Sequence, residues 1–184
     1  MSHPRPPDDD AEDRALIARW RGGDERAATL LVQRHASAIA RYAASLGERV
    51  DLEEVVQDTF VRAFGSLAAF RGESSLRTWL FSIARRLVLD RRRAGRRGRV
   101  AVPLDEGDAA SEYDALDKLI ADEAEGRLRA AVARLTPTQR EVFTLRVGEG
   151  LSYREIAAAT GTTEGAARVH YHNAMRQVKE FLNE

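Results

Sequence analysis

Apolar residues recur at helical spacing along almost the whole chain, and no stretch keeps the alternation of a β-strand for long. The pattern lapses once. From about Ala94 to Glu112 it gives way to Gly, Arg, Asp and Ala with Pro103. That break predicts an all-α protein: two small helical domains joined by a flexible charged linker. A chain of 184 residues, 43% of them hydrophobic, has the apolar matter for one sizeable domain or two small ones.

Several classes fall away at once. The chain contains no cysteine, which excludes disulfides, thiol nucleophiles and cysteine-ligated metal sites and fits a reducing compartment. No run approaches the roughly 18 apolar residues of a membrane span. The Pro- and Asp-rich start, Met1 to Asp13, is not a secretory signal. The expectation is a cytoplasmic protein with no membrane insertion.

Residues 1–10 read as a disordered acidic tail. A first helix is expected from about Ala11 to Arg21, with Leu16, Ile17 and Trp20 on one face, before Gly22-Gly23 break it. Asp24 is the expected N-cap of a second helix whose apolar face holds Leu30, Leu31, Ile39, Tyr42 and Leu46, ending at Gly47. Asp51, with Glu54 three residues on, opens a third helix as a carboxylate variant of the capping box. Its stripe is Leu52, Val55, Val56, Phe60, Ala63, Phe64 and Leu67, while Glu54, Gln57, Asp58 and Val61 fall on the other side. Ser75 caps a fourth helix that buries Leu76, Trp79, Leu80, Ile83 and Leu87 and runs out into Arg91-Arg92-Arg93.

The second domain opens with a helix from about Tyr113 to Leu135, interrupted near Gly126. Thr136-Pro137 with Gln139 is a strong start signal for the next, which stops at Gly148–Gly150. Ser152 with Glu155 caps a short helix to Thr160, and Gly161 precedes a last helix from Thr163 to about Leu182. The expected organisation is a tail over 1–10, a first domain over 11–94, a linker over 95–112 and a second domain over 113–184.

Charge locates the partner. The chain carries 29 basic and 29 acidic residues, for a net charge of zero. Residues 77–99 hold nine arginines and one acid, Asp90, a local balance of +8; residues 104–126 hold nine acids and one lysine, Lys118, a balance of −8. An arginine block of one sign on a helix end and its exit is a candidate for a nucleic-acid backbone, with strongly salt-dependent binding. The acidic block is expected either to mimic nucleic acid or to touch the Arg-rich helix of the first domain when no DNA is bound.

Residues 152–174 have the form of a helix-turn-helix: a capped eight-residue helix, a tight turn at Gly161 and a second capped helix. Ile156 and Ala157 are expected to face inward, and small Ala158 and Ala159 to allow close helix approach. The second helix would enter a major groove with Arg168, His170, Tyr171, His172 and Asn173 in its N-terminal half; Arg suits guanine and Asn suits adenine. His170 and His172 point about 200° apart on a helix and cannot share a metal.

In the first domain, the loop Phe70-Arg71-Gly72-Glu73-Ser74-Ser75 offers a flexible glycine, two hydroxyls and backbone donors, which suits unstacked bases. Trp79 lies on the apolar stripe of its helix, which points to core rather than to base stacking. Glu53, Glu54 and Asp58 make an acidic face for a basic partner, or a merely solvated one.

The string D-L-E-E-V-V-Q-D-T-F-V-R-A-F (51–64), followed by F-R-G-E-S-S-L-R-T-W-L-F-S-I-A-R (70–85), resembles region 2 of the extracytoplasmic-function group of sigma factors. L-T-P-T-Q-R-E-V-F-T-L-R and the helix-turn-helix resemble their region 4. The resemblance spans about residues 11–94 and 113–182 in the family's order. It implies that Glu54, Gln57, Asp58 and Val61 dock on the clamp coiled coil of core RNA polymerase. It implies that the loop with Phe70, Arg71, Gly72, Ser74 and Ser75 captures a flipped base of the −10 promoter element, while Arg77, Arg85, Arg86 and Arg93 line the opening duplex. Arg168, Val169, His172 and Asn173 match positions that enter the −35 major groove, with Tyr153, Arg154 and Thr163 beside the DNA there. The linker would thread the polymerase channel, and an anti-sigma factor is the usual further partner.

The expected function is therefore promoter recognition and strand opening as a dissociable polymerase subunit. It requires no cofactor, no metal, no catalytic residue and no small-molecule substrate. The rivals are a helix-turn-helix regulator that binds duplex DNA alone, and, more remotely, a nuclease built on the acidic helix face.

Overall fold

A computed structural model describes residues 9–46, 51–98 and 115–183. Its helices are α1 (Asp9–Arg21), α2 (Glu25–Ser45), α3 (Leu52–Ser66), α4 (Leu76–Gly98), α5 (Ala115–Ala133), α6 (Pro137–Phe143), α7 (Tyr153–Thr160) and α8 (Glu164–Leu182). A 3₁₀ turn, Leu67–Ala69, follows α3, and a π-helical turn, Thr144–Gly148, follows α6. No strand occurs among the described residues, and none of their helices is long and apolar enough to cross a membrane.

The helix starts follow from side-chain caps. Asp24 accepts from the Arg26 amide, and Asp51 from the Glu54 amide. Ser75 Oγ accepts from the Thr78 amide at 3.1 Å. Thr136 with Gln139 and Ser152 with Glu155 each form a reciprocal capping box. The Glu54 carboxylate instead meets Arg91, at 3.2 Å.

α1 to α4 pack as one bundle, with α2 and α3 both against α4. α5, α6 and α7 pack around α8. Ala131, Leu135, Phe143, Ala174 and Val178 form a small core of that second group. The larger core does not stop at the linker. Val142, Leu145, Leu151, Ile156, Ala159 and Ala167 of the C-terminal half share one apolar cluster with Tyr42, Leu80, Phe81, Ala84 and Val88 of the N-terminal half. α7 lies directly on α4. Each fully buried Leu or Ile there stabilises the contact by roughly 1.5–3 kcal/mol relative to exposure.

The structure corrects several local expectations. Asp9 and Asp10, assigned to the disordered tail, form the first turn of α1, because Asp9 pairs with Arg34 of α2 at 3.2 Å. Leu30 is exposed rather than on the apolar face, and Ala158 is exposed where Ala159 alone is buried. α5 passes through Gly126 without interruption, and α4 continues past Ala94 to Gly98. Residues 1–8 of the expected tail, Gly47 and the linker from 99 to 112 lie outside the described residues.

Candidate nucleic-acid and polymerase interfaces

The loop between the 3₁₀ turn and α4 carries the first site. Gly72 has φ +72°, a conformation that side chains with a Cβ avoid. This lets the chain reverse and bring Phe70 against Trp79, with ring centroids 5.0 Å apart and planes tilted by 39°. A cleft of about 180 Å³ opens beside them, lined by Phe70, Arg71, Glu73, Ser74 and Trp79. A second, of about 260 Å³, lies on the other side of the loop, where Ser75, Asp13 of α1 and Arg154 of α7 contribute to its wall. Aromatic faces beside an open polar cleft suit an unstacked base. The Ser75 hydroxyl is already engaged, 2.8 Å from Thr78 Oγ1 and capping α4. Trp79, expected in the core, is only half-buried and stands on the cleft rim; a helical period places a residue on a stripe but not at its edge.

The arginines of α4 divide into two groups. Arg86 and Arg93 are exposed, Arg93 with Asp90 at 3.6 Å. Arg77 and Arg85 face the C-terminal half. Arg77 forms an ion pair with Glu149 and donates from Nη1 to its carbonyl at 3.2 Å. Arg85 donates from Nε to Glu141 at 2.7 Å. Arg91, from the same basic block, is bound to the first domain's own acids, Asp58 at 2.8 Å and Glu54 at 3.2 Å.

The α3 face holds Glu54, Gln57, Asp58 and Val61 together, with Asp58 the least accessible. Val61 is 63% exposed, an unusually open position for a valine on a helix.

In the helix-turn-helix, Gly161 takes φ +72° and closes α7 through its amide to the Ala157 carbonyl. Thr163 accepts from the Ala166 amide and starts α8. Arg168 and His172 are exposed, Val169 is 58% exposed, and Asn173 is half-buried with its Oδ1 accepting from Arg176 at 3.4 Å. Tyr153 is half-buried rather than open. Its ring sits edge-on to Tyr171 at 5.9 Å, with Arg146 and Arg168 over it at 4.9 and 5.2 Å. Arg154 is exposed and reaches the cleft of the Phe70 loop.

Four residues hold the halves together, of which the sequence patterns had named only Tyr42, and that only as part of an apolar face. The Tyr42 hydroxyl of α2 donates to Glu141 of α6 at 2.6 Å, and Arg41 donates from Nε to Glu149 at 3.0 Å. Burial raises the Tyr42 pKa well above its ordinary value, and the adjacent Glu141 charge adds to the effect. Burial works against the Arg85 charge, but the hydrogen bond and charge of Glu141 outweigh it and raise that pKa too. The signal available in sequence was two carboxylates, Glu141 and Glu149, within an apolar helix and its end; their partners, 56 to 108 residues away, left no local trace.

With this geometry in view, the similarities to known proteins are specific. Residues 31–98 match the family described as Sigma-70 region 2, and residues 125–178 match Sigma-70, region 4. The chain is 30% identical to the ECF RNA polymerase sigma-E factor of Haemophilus influenzae, over 92% of this chain and 95% of that protein. It is 34% identical to the Escherichia coli ECF RNA polymerase sigma-E factor, over 90% and 92%. Among solved structures it resembles CnrH, determined in complex with the cytosolic domain of CnrY, at 30% identity and a TM-score of 0.65 over 94% of this chain and 97% of that one. It also resembles the sigma factor RpoE of Bartonella quintana, solved with the anti-sigma factor NepR, at 27% identity and a TM-score of 0.62 over 84% and 93%. Both halves of the promoter-reading apparatus are thus present in order in one chain, which belongs to the extracytoplasmic-function group of the sigma-70 family of RNA polymerase sigma factors.

Proposed function

We propose that this sigma factor reads its promoter at two places with the residues described above, and acts by binding without covalent chemistry. Glu54, Gln57, Asp58 and Val61 dock on core polymerase. Arg168, Val169, His172 and Asn173 enter the −35 major groove, with Tyr153, Arg154 and Thr163 beside it. Phe70, Arg71, Gly72, Ser74 and Ser75 hold an extruded −10 base, and Arg77, Arg85, Arg86 and Arg93 follow the strands. Holding the base offsets the few kcal/mol needed to unstack and unpair it.

The observation that carries this reading is the pairing, in one chain, of an open recognition helix behind the Gly161 turn with the Phe70–Trp79 cleft at the head of an arginine-rich helix. The domains are those expected over 11–94 and 113–184, the first extended by the opening turn of α1 at Asp9 and by α4 to Gly98, with the residues between the domains as the connection. The protein is not an enzyme, works in the cytoplasm, and is held in check by an anti-sigma factor, a reading supported by the similar RpoE of Bartonella quintana, which is solved with the anti-sigma factor NepR. Run-off transcription on genomic fragments with core polymerase tests it: transcripts that depend on the added protein are expected. Specific duplex binding with no retention on core polymerase would instead favour a stand-alone regulator.

A further inference from the structure

The buried side of α8 is made by Ala167, Ala174 and Val178. Val169, two residues past Ala167, points about 200° away from it around the helix and is 58% exposed. Nothing internal accounts for a valine there. It belongs to neither apolar cluster among the described residues, and a β-branched residue forms helix less well than the alanines before it. The face around it is polar: His172 and Asn173 stand one turn on, Arg176 two turns on, and Gly165 one turn back. None of these is an acid, and no second large apolar side chain adjoins the valine to make a patch that a protein would cover. Arg168 is drawn to one side, its guanidinium 5.2 Å from the Tyr153 ring and 3.4 Å from Glu164.

Gly165 is a second observation on the same face. A Cβ added there would meet nothing within 4 Å, so packing does not demand a glycine, although glycine weakens a helix relative to alanine. The bare backbone lets the start of α8 approach an outside surface closely, with Val169 next along the face. In a helix a valine is held almost entirely in one χ1 rotamer, so its two methyl groups meet that surface with little loss of freedom. They neither donate nor accept hydrogen bonds. Pressed on the amino group of cytosine or adenine, or on O6 of guanine, they would displace water and leave a polar edge unpaired. Of the major-groove edges, only thymine's carries a methyl group. We propose that Val169 reads a thymine of the −35 element by methyl-to-methyl contact, which makes a T·A pair at that position a requirement of this protein's promoters. This rests on the reading that α8 enters the −35 groove.

The test uses holoenzyme assembled from the full chain and core polymerase. Duplexes are selected from a pool randomised over the upstream element, and the recovered sequence is the probe. Each of its thymines is then replaced singly by deoxyuridine, which removes the 5-methyl group and keeps every hydrogen bond. One replacement should weaken binding about fourfold, the effect of withdrawing one methyl group from an apolar contact. With Val169→Ala, which shortens the side chain and favours the helix, the thymine and deoxyuridine duplexes should bind alike. A C·G pair at the same position should bind the native chain poorly. Its 5-methylcytosine counterpart, which restores the methyl group alone, should recover about fourfold with Val169 and nothing with Val169→Ala.

A selected sequence in which no thymine methyl matters overturns the proposal. So does a methyl effect that persists in Val169→Ala, or a 5-methylcytosine duplex that binds no better than its cytosine counterpart. Arg168→Ala separates the two levels of the reading. If it weakens binding to the selected duplex while every deoxyuridine is silent, α8 reads the −35 element and the thymine assignment alone fails. If the pool yields no preferred sequence, or if Arg168→Ala and the deoxyuridine series are silent together, entry of α8 into the groove fails and the thymine assignment falls with it.

Discussion

Arg91 of α4 holds the Asp58 carboxylate of α3 at 2.8 Å, so a residue of the basic block is bound to a residue of the face proposed to dock on polymerase. The pair sets how α3 sits on α4, and it neutralises a cation that charge counting had assigned to DNA. It also separates two roles on α3: Asp58 belongs to the α3–α4 contact, while Val61 points outward with no such duty.

Val61→Glu should therefore weaken retention on core polymerase by about tenfold or more while leaving the melting temperature nearly unchanged, since surface substitutions usually stay within about 0.5 kcal/mol. Arg91→Gln should show the reverse pattern in part, with a loss of about 1 kcal/mol in stability. Pull-down on immobilised core polymerase and thermal melting of each variant separate the two.

Gly161→Ala should destabilise the helix-turn-helix. Nothing lies within 4 Å of an added Cβ, so the cost is the left-handed backbone alone, φ +72°. About 1 kcal/mol is expected, lowering the melting temperature by roughly 2–4 °C. An unchanged melt would mean that the turn tolerates another conformation.

Arg168→Ala should reduce binding to a duplex carrying the −35 element and relax sequence preference at one base pair, at a cost of about 1–3 kcal/mol. Arg154→Ala should weaken binding to all duplexes alike and reduce the salt slope by about one. Anisotropy titrations on matched and mutated duplexes at several salt concentrations distinguish base reading from phosphate contact.

Asp13 of α1 is buried against His35 Nε2 at 3.0 Å and Arg34 Nε at 3.1 Å. Burial pushes its pKa up, but His35 and Arg34 outweigh this and hold it below 3.8. A depressed carboxylate pKa contributes stability above the unfolded value and loses it as pH falls through the folded one. The difference in urea midpoint between the native chain and Asp13→Asn, corresponding to about 3 kcal/mol at pH 7, should shrink as pH is lowered below about 4. A difference independent of pH would exclude a role for the Asp13 charge.

Local chemistry was readable from the amino acids alone. Thr136, Pro137 and Gln139, Ser152 and Glu155, and Gly161 each act on neighbours within four residues, so their caps and turns could be placed without knowing the fold. The helical stripes followed in the same way, apart from edge positions such as Leu30, Ala158 and Trp79. What tertiary structure alone decided was which of two like charges meets what. Arg86 faces solvent while Arg85, beside it, meets Glu141; Arg91 turns back to Asp58; Arg41 and Arg77 converge on Glu149. Ion pairs between residues far apart in the chain leave no period in the sequence, because their spacing is set by how α4 lies under α6 and α7 rather than by the turn of any one helix.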